Sequence, residues 1–149
     1  MATPRASIEI AAPAARVWEI LTALHEYPAW APFTVAARGR AELGQRVAVA
    51  VEMTPGAALR EQVMTVTAAA PPRLAWTFTL LSSLLLHAER EQTVEATGAA
   101  ACTYSTSDTM TGLLAPLVLA LYGASIEQGF ASFARALKAR AEEGAAARQ

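Results

Sequence analysis

Residues 86–110 read LHAEREQTVEATGAAACTYSTSDTM, and this stretch decides the architecture. Leu86 to Ala96 and Cys102 to Met110 both alternate with a period of two, and Thr97-Gly98-Ala99-Ala100-Ala101 between them supplies a turn. Two alternating runs joined by a short glycine-containing loop read as an antiparallel hairpin. A turn centred near Ala99 sets the register, because directly opposed residues then have numbers that sum to about 198. Val94 faces Tyr104, Gln92 faces Thr106 and Arg90 faces Asp108, on the side that also holds Met110. The opposite side holds Glu89, Glu91, Thr93 and Glu95 against Thr109, Ser107, Ser105 and Thr103, a hydrophilic set that belongs in water. The inward side therefore carries an Arg, an Asp, an amide, a hydroxyl and a phenol in an otherwise apolar wall.

Working back toward the N-terminus, the period of two continues. Leu74, Trp76, Phe78 and Leu80 form an inward row opposed by Thr77 and Thr79, and Met64 and Val66 do the same against Thr65 and Thr67. Pro71-Pro72 and Thr54-Pro55-Gly56 are turns, and Val47, Val49, Val51 and Met53 make a further apolar face. Before Gly44 the spacing is helical: Pro13 opens a helix with Val17, Ile20, Leu21 and Leu24 on one face, ending near His25. Tyr27-Pro28-Ala29-Trp30 with Pro32 is a short turn or helix. Ala6-Ser7-Ile8-Glu9-Ile10 is an opening strand.

Past Met110 the strands stop. Gly112 precedes a long helix expected to reach about Arg140, with Leu119, Tyr122, Ile126, Phe130, Phe133 and Leu137 on one face and a frayed tail from about 142. No repeat and no linker interrupts the chain, so residues 1–149 form one domain.

The opening Ile8-Glu9-Ile10-Ala11-Ala12-Pro13 through Val17-Trp18 is followed by Tyr27-Pro28-Ala29-Trp30 and Pro32, then by Pro71-Pro72-Arg73-Leu74-Ala75-Trp76. Gly112-Leu113-Leu114-Ala115-Pro116-Leu117 and Gly129-Phe130 through Ala136-Leu137-Lys138 complete the pattern. In this order the chain resembles the START-like, Bet v 1-type helix-grip (SRPBCC) superfamily, and within it the bacterial polyketide cyclase/dehydrase-like group. The resemblance covers nearly the whole sequence. It implies an α+β helix-grip fold: a curved antiparallel sheet of about six to seven strands around a long C-terminal helix, with two short helices after the first strand. It also implies an apolar cavity between sheet and helix, and a ligand more firmly than a reaction.

Composition narrows the function classes. The chain has 54% hydrophobic and 17% charged residues, a net charge of -1, and alanine at roughly a quarter of its positions. Twelve Lys and Arg against 13 Asp and Glu leave no surplus for nucleic acid or an acidic membrane. Cys102 is the single cysteine, so no internal disulfide forms and a cytoplasmic address is expected. Thr109 to Ile126 lacks charge, but its strongly apolar part, Leu113 to Tyr122, is about half the ~20 residues a bilayer span requires. No signal peptide is expected, because Glu9 follows the N-terminus too soon. Metal, nucleotide and serine-nucleophile motifs are absent, so no metal and no cofactor is expected.

The candidate site follows from the inward parity. An ion pair is expected between Arg90 and Asp108, since buried charges are costly alone. That pair reads either as a structural bridge or as chemistry, with Asp108 moving a proton, Arg90 stabilising an oxyanion and Tyr104 donating a hydrogen bond. Gln92 and Thr106 would satisfy each other. Met110, Trp76, Phe78, Met64, Gln62, Trp30, Leu114, Val118 and Tyr122 are the expected ligand-contacting wall. His25 and His87 read as surface or capping residues. Alternating strand directions bring Leu81, Leu84, Leu85, Leu113, Leu114 and Leu117 to one end of the sheet. They form either a closed end of the core or a mouth for a ligand, a homodimer contact, or a contact with membrane or a carrier protein. Two functions stay open: a small hydrophobic, polyketide-like or aromatic ligand that is cyclised or dehydrated without a cofactor, or a non-catalytic carrier or sensor of lipid or quinone. A protein-interaction module acting through the apolar end is a third.

Overall fold

The computed structural model describes residues 3–32, 34–51 and 60–147. Seven strands form one antiparallel sheet: β1 (Arg5–Ile10), β2 (Thr34–Arg38), β3 (Arg46–Val51), β4 (Arg60–Ala70), β5 (Arg73–Leu80), β6 (Leu86–Gly98) and β7 (Ala101–Thr111). Their order across the sheet is β1-β7-β6-β5-β4-β3-β2, so every neighbour except β1–β7 is also a neighbour in sequence. Three helices accompany them: α1 (Ala14–Thr22), α2 (Tyr27–Trp30) and α3 (Ala115–Ala147), with a 3₁₀ turn at Leu24–Glu26 between the first two. This is the α+β helix-grip architecture.

The hairpin register agrees with the turn argument pair for pair: Val94 opposes Tyr104, Gln92 opposes Thr106 and Arg90 opposes Asp108. Its hydrophilic side is the outer face, where Arg73 pairs with Glu89 at 3.0 Å and Glu91 at 2.8 Å. Met64 and Val66 are buried while Thr65 and Thr67 are exposed.

Three boundaries differ from the sequence expectation. The first helix stops at Thr22 rather than near His25, because Ala23 leaves helical geometry at φ -85 and ψ 71. Tyr27 then donates its hydroxyl to the carbonyl of Leu21 and folds the aromatic segment back onto α1. Strand β2 carries no alternation that could announce it, since two of its five residues are alanine and it forms a sheet edge. Helix α3 runs to Ala147, past the expected end near Arg140. Lys138 holds it by donating to the Glu9 carbonyl at 3.1 Å, and Glu142 accepts the Ala11 N–H at 2.9 Å. The turn at Thr54-Pro55-Gly56 and Met53 lie outside the described residues.

Most of the fully buried side chains of α3 lie in its second half. Phe130, Phe133, Ala134, Leu137 and Ala141 are buried, a spacing that puts them on one helical face, and the two alanines let the helix approach closely. Toward the N-terminal end Leu119 and Ile126 are half-buried while Tyr122 is exposed. Within α3, Ala115–Glu143 is long and apolar enough to cross a membrane by length and composition. The buried stripe against the sheet is that of a core helix.

Candidate functional site

The register stacks the inward residues of three strands into rows. Trp76 on β5 opposes Arg90 on β6, and Arg90 opposes Asp108 on β7, so these three cross the sheet side by side. Strands are about 4.8 Å apart, so neighbouring side chains in a row share one environment. The next row toward the turn is Leu74, Gln92 and Thr106, and beyond it lie Val94 and Tyr104. Gln92, Thr106 and Tyr104 are buried, as is Trp76, while Arg90 and Asp108 are half-buried.

Hydrogen bonding runs diagonally rather than straight across. Tyr104 donates its hydroxyl to Gln92 Oε1 at 2.6 Å, and Arg90 Nε donates to Thr106 Oγ1 at 3.2 Å. The expected Gln92–Thr106 pair therefore does not form, because each partner is engaged by a longer side chain from the adjacent row. Among the described residues no ion pair joins Arg90 to Asp108 either. The guanidinium is drawn instead toward α3, lying 4.5 Å from the ring centre of Phe130 and 5.1 Å from that of Phe133. A planar cation over aromatic faces gains electrostatic stabilisation without an anion.

Phe133 is the hub of an aromatic cluster. Its ring centre lies 5.2 Å from Trp30, 5.7 Å from Tyr27 and 6.2 Å from Tyr104. Helix α2 supplies Tyr27 and Trp30, β7 supplies Tyr104, and α3 supplies the two phenylalanines. Sequence reasoning assigned Phe130 and Phe133 to the core stripe of α3 and so missed their place beneath Arg90. Only a pairing of helix to sheet shows it.

Several polar atoms on this face are buried and have no partner: Arg90 Nη2, Gln92 Nε2, Asp108 Oδ1, Trp76 Nε1 and, on α2, Trp30 Nε1. Burial pushes the Asp108 carboxyl up to about 6, a rise that the positive charge of Arg90 opposes but does not cancel. Burial also raises the phenols of Tyr104 and Tyr27, so both stay protonated at neutral pH.

The wall residues divide. Met64 is buried; Phe78, Met110, Leu114, Val118 and Trp30 are half-buried; Gln62 and Tyr122 are exposed. Gln62 has the parity of Met64 but lies one step nearer the end of β4, where neighbouring Val63 is exposed too. Tyr122 lies on α3 between the half-buried Leu119 and Ile126 and is itself 50% exposed. His87 bonds Thr79 at 2.9 Å on the outer face and His25 is exposed. Cys102 is a buried free thiol. A groove of about 540 Å³ runs along β1, β7 and β6, lined by residues that include Arg5, Ser7, Glu91, Thr93, Ser105 and Ser107. Those six have outward parity, and none of the unpartnered atoms belongs to it.

The leucine end is open. Leu81, Leu113 and Leu84 are 90%, 82% and 79% exposed, Leu117 is exposed, and Leu85 and Leu114 are half-buried. The two loops are tied together by Leu113 N–H to the Leu84 carbonyl at 3.0 Å and Leu114 N–H to the Leu85 carbonyl at 2.9 Å. A core sealed by these leucines is thereby ruled out for Leu81, Leu84, Leu113 and Leu117.

Residues 1–142 match the family described as polyketide cyclase / dehydrase and lipid transport. The chain belongs to this family. No curated protein matches it. Among solved structures it is similar to the di-domain ARO/CYC BexL from the BE-7585A biosynthetic pathway, with a TM-score of 0.75 and 18% identity over 95% of this chain and 47% of that one. The chain thus spans about half of that di-domain protein. It is also similar to the Zhui aromatase/cyclase from Streptomyces sp. R1128, with a TM-score of 0.73 and 17% identity over 95% and 93% of the two chains. Norcoclaurine synthase from Thalictrum flavum, solved with dopamine and hydroxybenzaldehyde, gives a TM-score of 0.71 at 14% identity over 95% and 87%. At these identities the likeness is one of fold.

Proposed function

We propose that this family member binds a small hydrophobic, polyketide-like or aromatic molecule between the inner face of the sheet and α3. The observation that carries this is the group of unpartnered buried atoms on neighbouring side chains, Trp76 Nε1, Arg90 Nη2, Gln92 Nε2 and Asp108 Oδ1. Buried polar atoms in folded proteins are almost always paired, so four adjacent orphans indicate a polar partner supplied from outside the chain. Tyr27, Trp30, Phe130 and Phe133 offer the apolar surface for the rest of that molecule, and the exposed leucines mark its way in. The aromatic molecules and aromatase/cyclases named among the structural neighbours support the same class.

The catalytic form of this reading assigns acid–base chemistry to the row. Asp108 takes a proton from a carbon beside a carbonyl, and Arg90 Nη2 holds the negative charge that develops on the carbonyl oxygen. The enolate carbon then attacks a second carbonyl to close a ring, the oxygen of that carbonyl taking the proton back from Asp108, or the protonated Asp108 gives its proton to a departing hydroxyl, which leaves as water. A carboxyl near 6 suits proton transfer in either direction near neutral pH. Tyr104 is a positioning residue, because its hydroxyl proton is committed to Gln92. The exposed leucine rim favours a second reading, a carrier or sensor of lipid or quinone that uses the same site without chemistry.

Titration with 1-naphthol and 2-acetylnaphthalene, followed by the fluorescence of Trp30 and Trp76, tests the binding reading. Saturable quenching is expected. Its absence, together with no small molecule extracted from protein made in several hosts, would defeat the proposal. Turnover of a candidate polyketone that survives in both Asp108→Asn and Arg90→Met would overturn the assignment of the chemistry to this row.

A further inference from the structure

We infer that the bound molecule carries an anionic head, a carboxylate or phenolate, seated on Arg90 and flanked by Gln92 and Trp76. This rests on the reading that the inner face receives a ligand, and goes beyond it by naming the charge. Arg90 is the inward cation of the row; its Nε donates to Thr106, its Nη2 has no partner, and among the described residues no carboxylate lies within ion-pair distance. A partly buried charge is costly without a counter-charge. Stacking on Phe130 and Phe133 holds the guanidinium plane in place and leaves Nη2 unengaged.

The unused hydrogen-bonding groups have a decided sign. Arg90 Nη2, Gln92 Nε2 and Trp76 Nε1 are all donors, against one acceptor, Asp108 Oδ1. Gln92 and Trp76 are 0% and 3% exposed, so water outside the fold does not serve them. A ketone oxygen offers two lone pairs and no charge. A carboxylate offers about four acceptor positions and the charge that Arg90 lacks, and it pairs with a planar guanidinium in matching geometry. Asp108 closes the far side of the row from Trp76, so the head lies on the Trp76 and Gln92 side of Arg90, with its apolar body against the aromatic cluster.

The test compares two probes of nearly the same shape, 2-naphthoate and 2-acetylnaphthalene, by calorimetric titration of the intact protein. The carboxylate is expected to bind at least about tenfold more tightly, the worth of one charged hydrogen bond. In Arg90→Met it should fall to the level of the ketone, and in Asp108→Asn, where one nearby negative charge is gone, it should bind more tightly than to the natural chain. Equal affinity of the natural chain for both probes overturns the anionic head while leaving an apolar ligand site in place, and needs no variant to be folded. A preference that persists in Arg90→Met overturns the assignment to that residue. Binding of neither probe removes the ligand reading on which the inference stands.

Discussion

Arg90 and Asp108 are register partners on β6 and β7, but the guanidinium turns to the rings of Phe130 and Phe133 and leaves Asp108 Oδ1 without a partner. The positive charge of Arg90 therefore offsets only part of the cost of burying the Asp108 carboxylate. Most of what the site can do follows from this arrangement.

Asp108 should make stability fall with rising pH over a defined window. Its carboxyl is held at about 6 in the folded chain, against the usual 3.8. Between those values the folded chain keeps a proton that the unfolded chain releases, so the stability this residue contributes is present below about 3.8 and is lost as pH rises through about 6. Asp108→Asn, which resembles the protonated form, should match the natural chain near pH 4 and exceed it above pH 6 by up to roughly 3 kcal/mol. Urea unfolding at both pH values checks this, and parallel behaviour of the two proteins would refute it.

Tyr104 and Gln92 form a buried hydrogen bond whose loss should be felt as stability. Tyr104→Phe leaves Gln92 Oε1 without its donor and should cost about 1–3 kcal/mol. Because both partners are buried, the double variant Tyr104→Phe with Gln92→Leu should recover part of that loss. A double-variant cycle by thermal unfolding measures the coupling, and simple additivity would show that the bond contributes nothing.

The leucine rim should be expendable for folding. Leu84→Glu combined with Leu113→Glu alters two largely exposed side chains, so each change should move stability by no more than roughly 0.5 kcal/mol. Uptake of 2-acetylnaphthalene, followed by stopped-flow quenching of tryptophan, should nonetheless slow. A melting temperature several degrees lower would mean that the rim belongs to the core after all.

Two glycines should respond in opposite directions to alanine. Gly112 has φ +106, and a Cβ there would lie 2.6 Å from the Leu85 carbonyl oxygen, so Gly112→Ala should destabilise by roughly 1–3 kcal/mol. Gly123 lies inside α3 with open space around it, so Gly123→Ala should stabilise by about 0.5–1 kcal/mol. Thermal unfolding of both variants decides the matter. A stable Gly112→Ala would mean that the link between the Leu85 and Leu113 loops tolerates a different backbone.

Much of the site is legible in the order of residues alone. The row of Arg90 against Asp108 and of Gln92 against Thr106 follows from alternation and one turn, because a period of two allows a single face assignment once the hairpin centre is known. The gathering of Leu81, Leu84 and Leu113 follows from strand direction in the same way. Strand β2 is not legible, since its alanines carry no contrast between faces. The exposure of Gln62 and Tyr122 is not either, because parity assigns a side but not how far a neighbouring element reaches along it.

By itself the sequence determined the order of elements other than β2, the hairpin register, the polar residues of the inward face and the apolar end. These are local consequences of period, turn position and strand direction. Only the tertiary structure decided which donor meets which acceptor. Phe130 and Phe133 lie 40 or more residues from Arg90 in the chain, so no pattern along the sequence places them under its guanidinium. It also decided that the leucines stay outside: the side chains of α3 that are buried against the sheet run from Phe130 to Ala141, while Leu113 and Leu117 near its start are exposed.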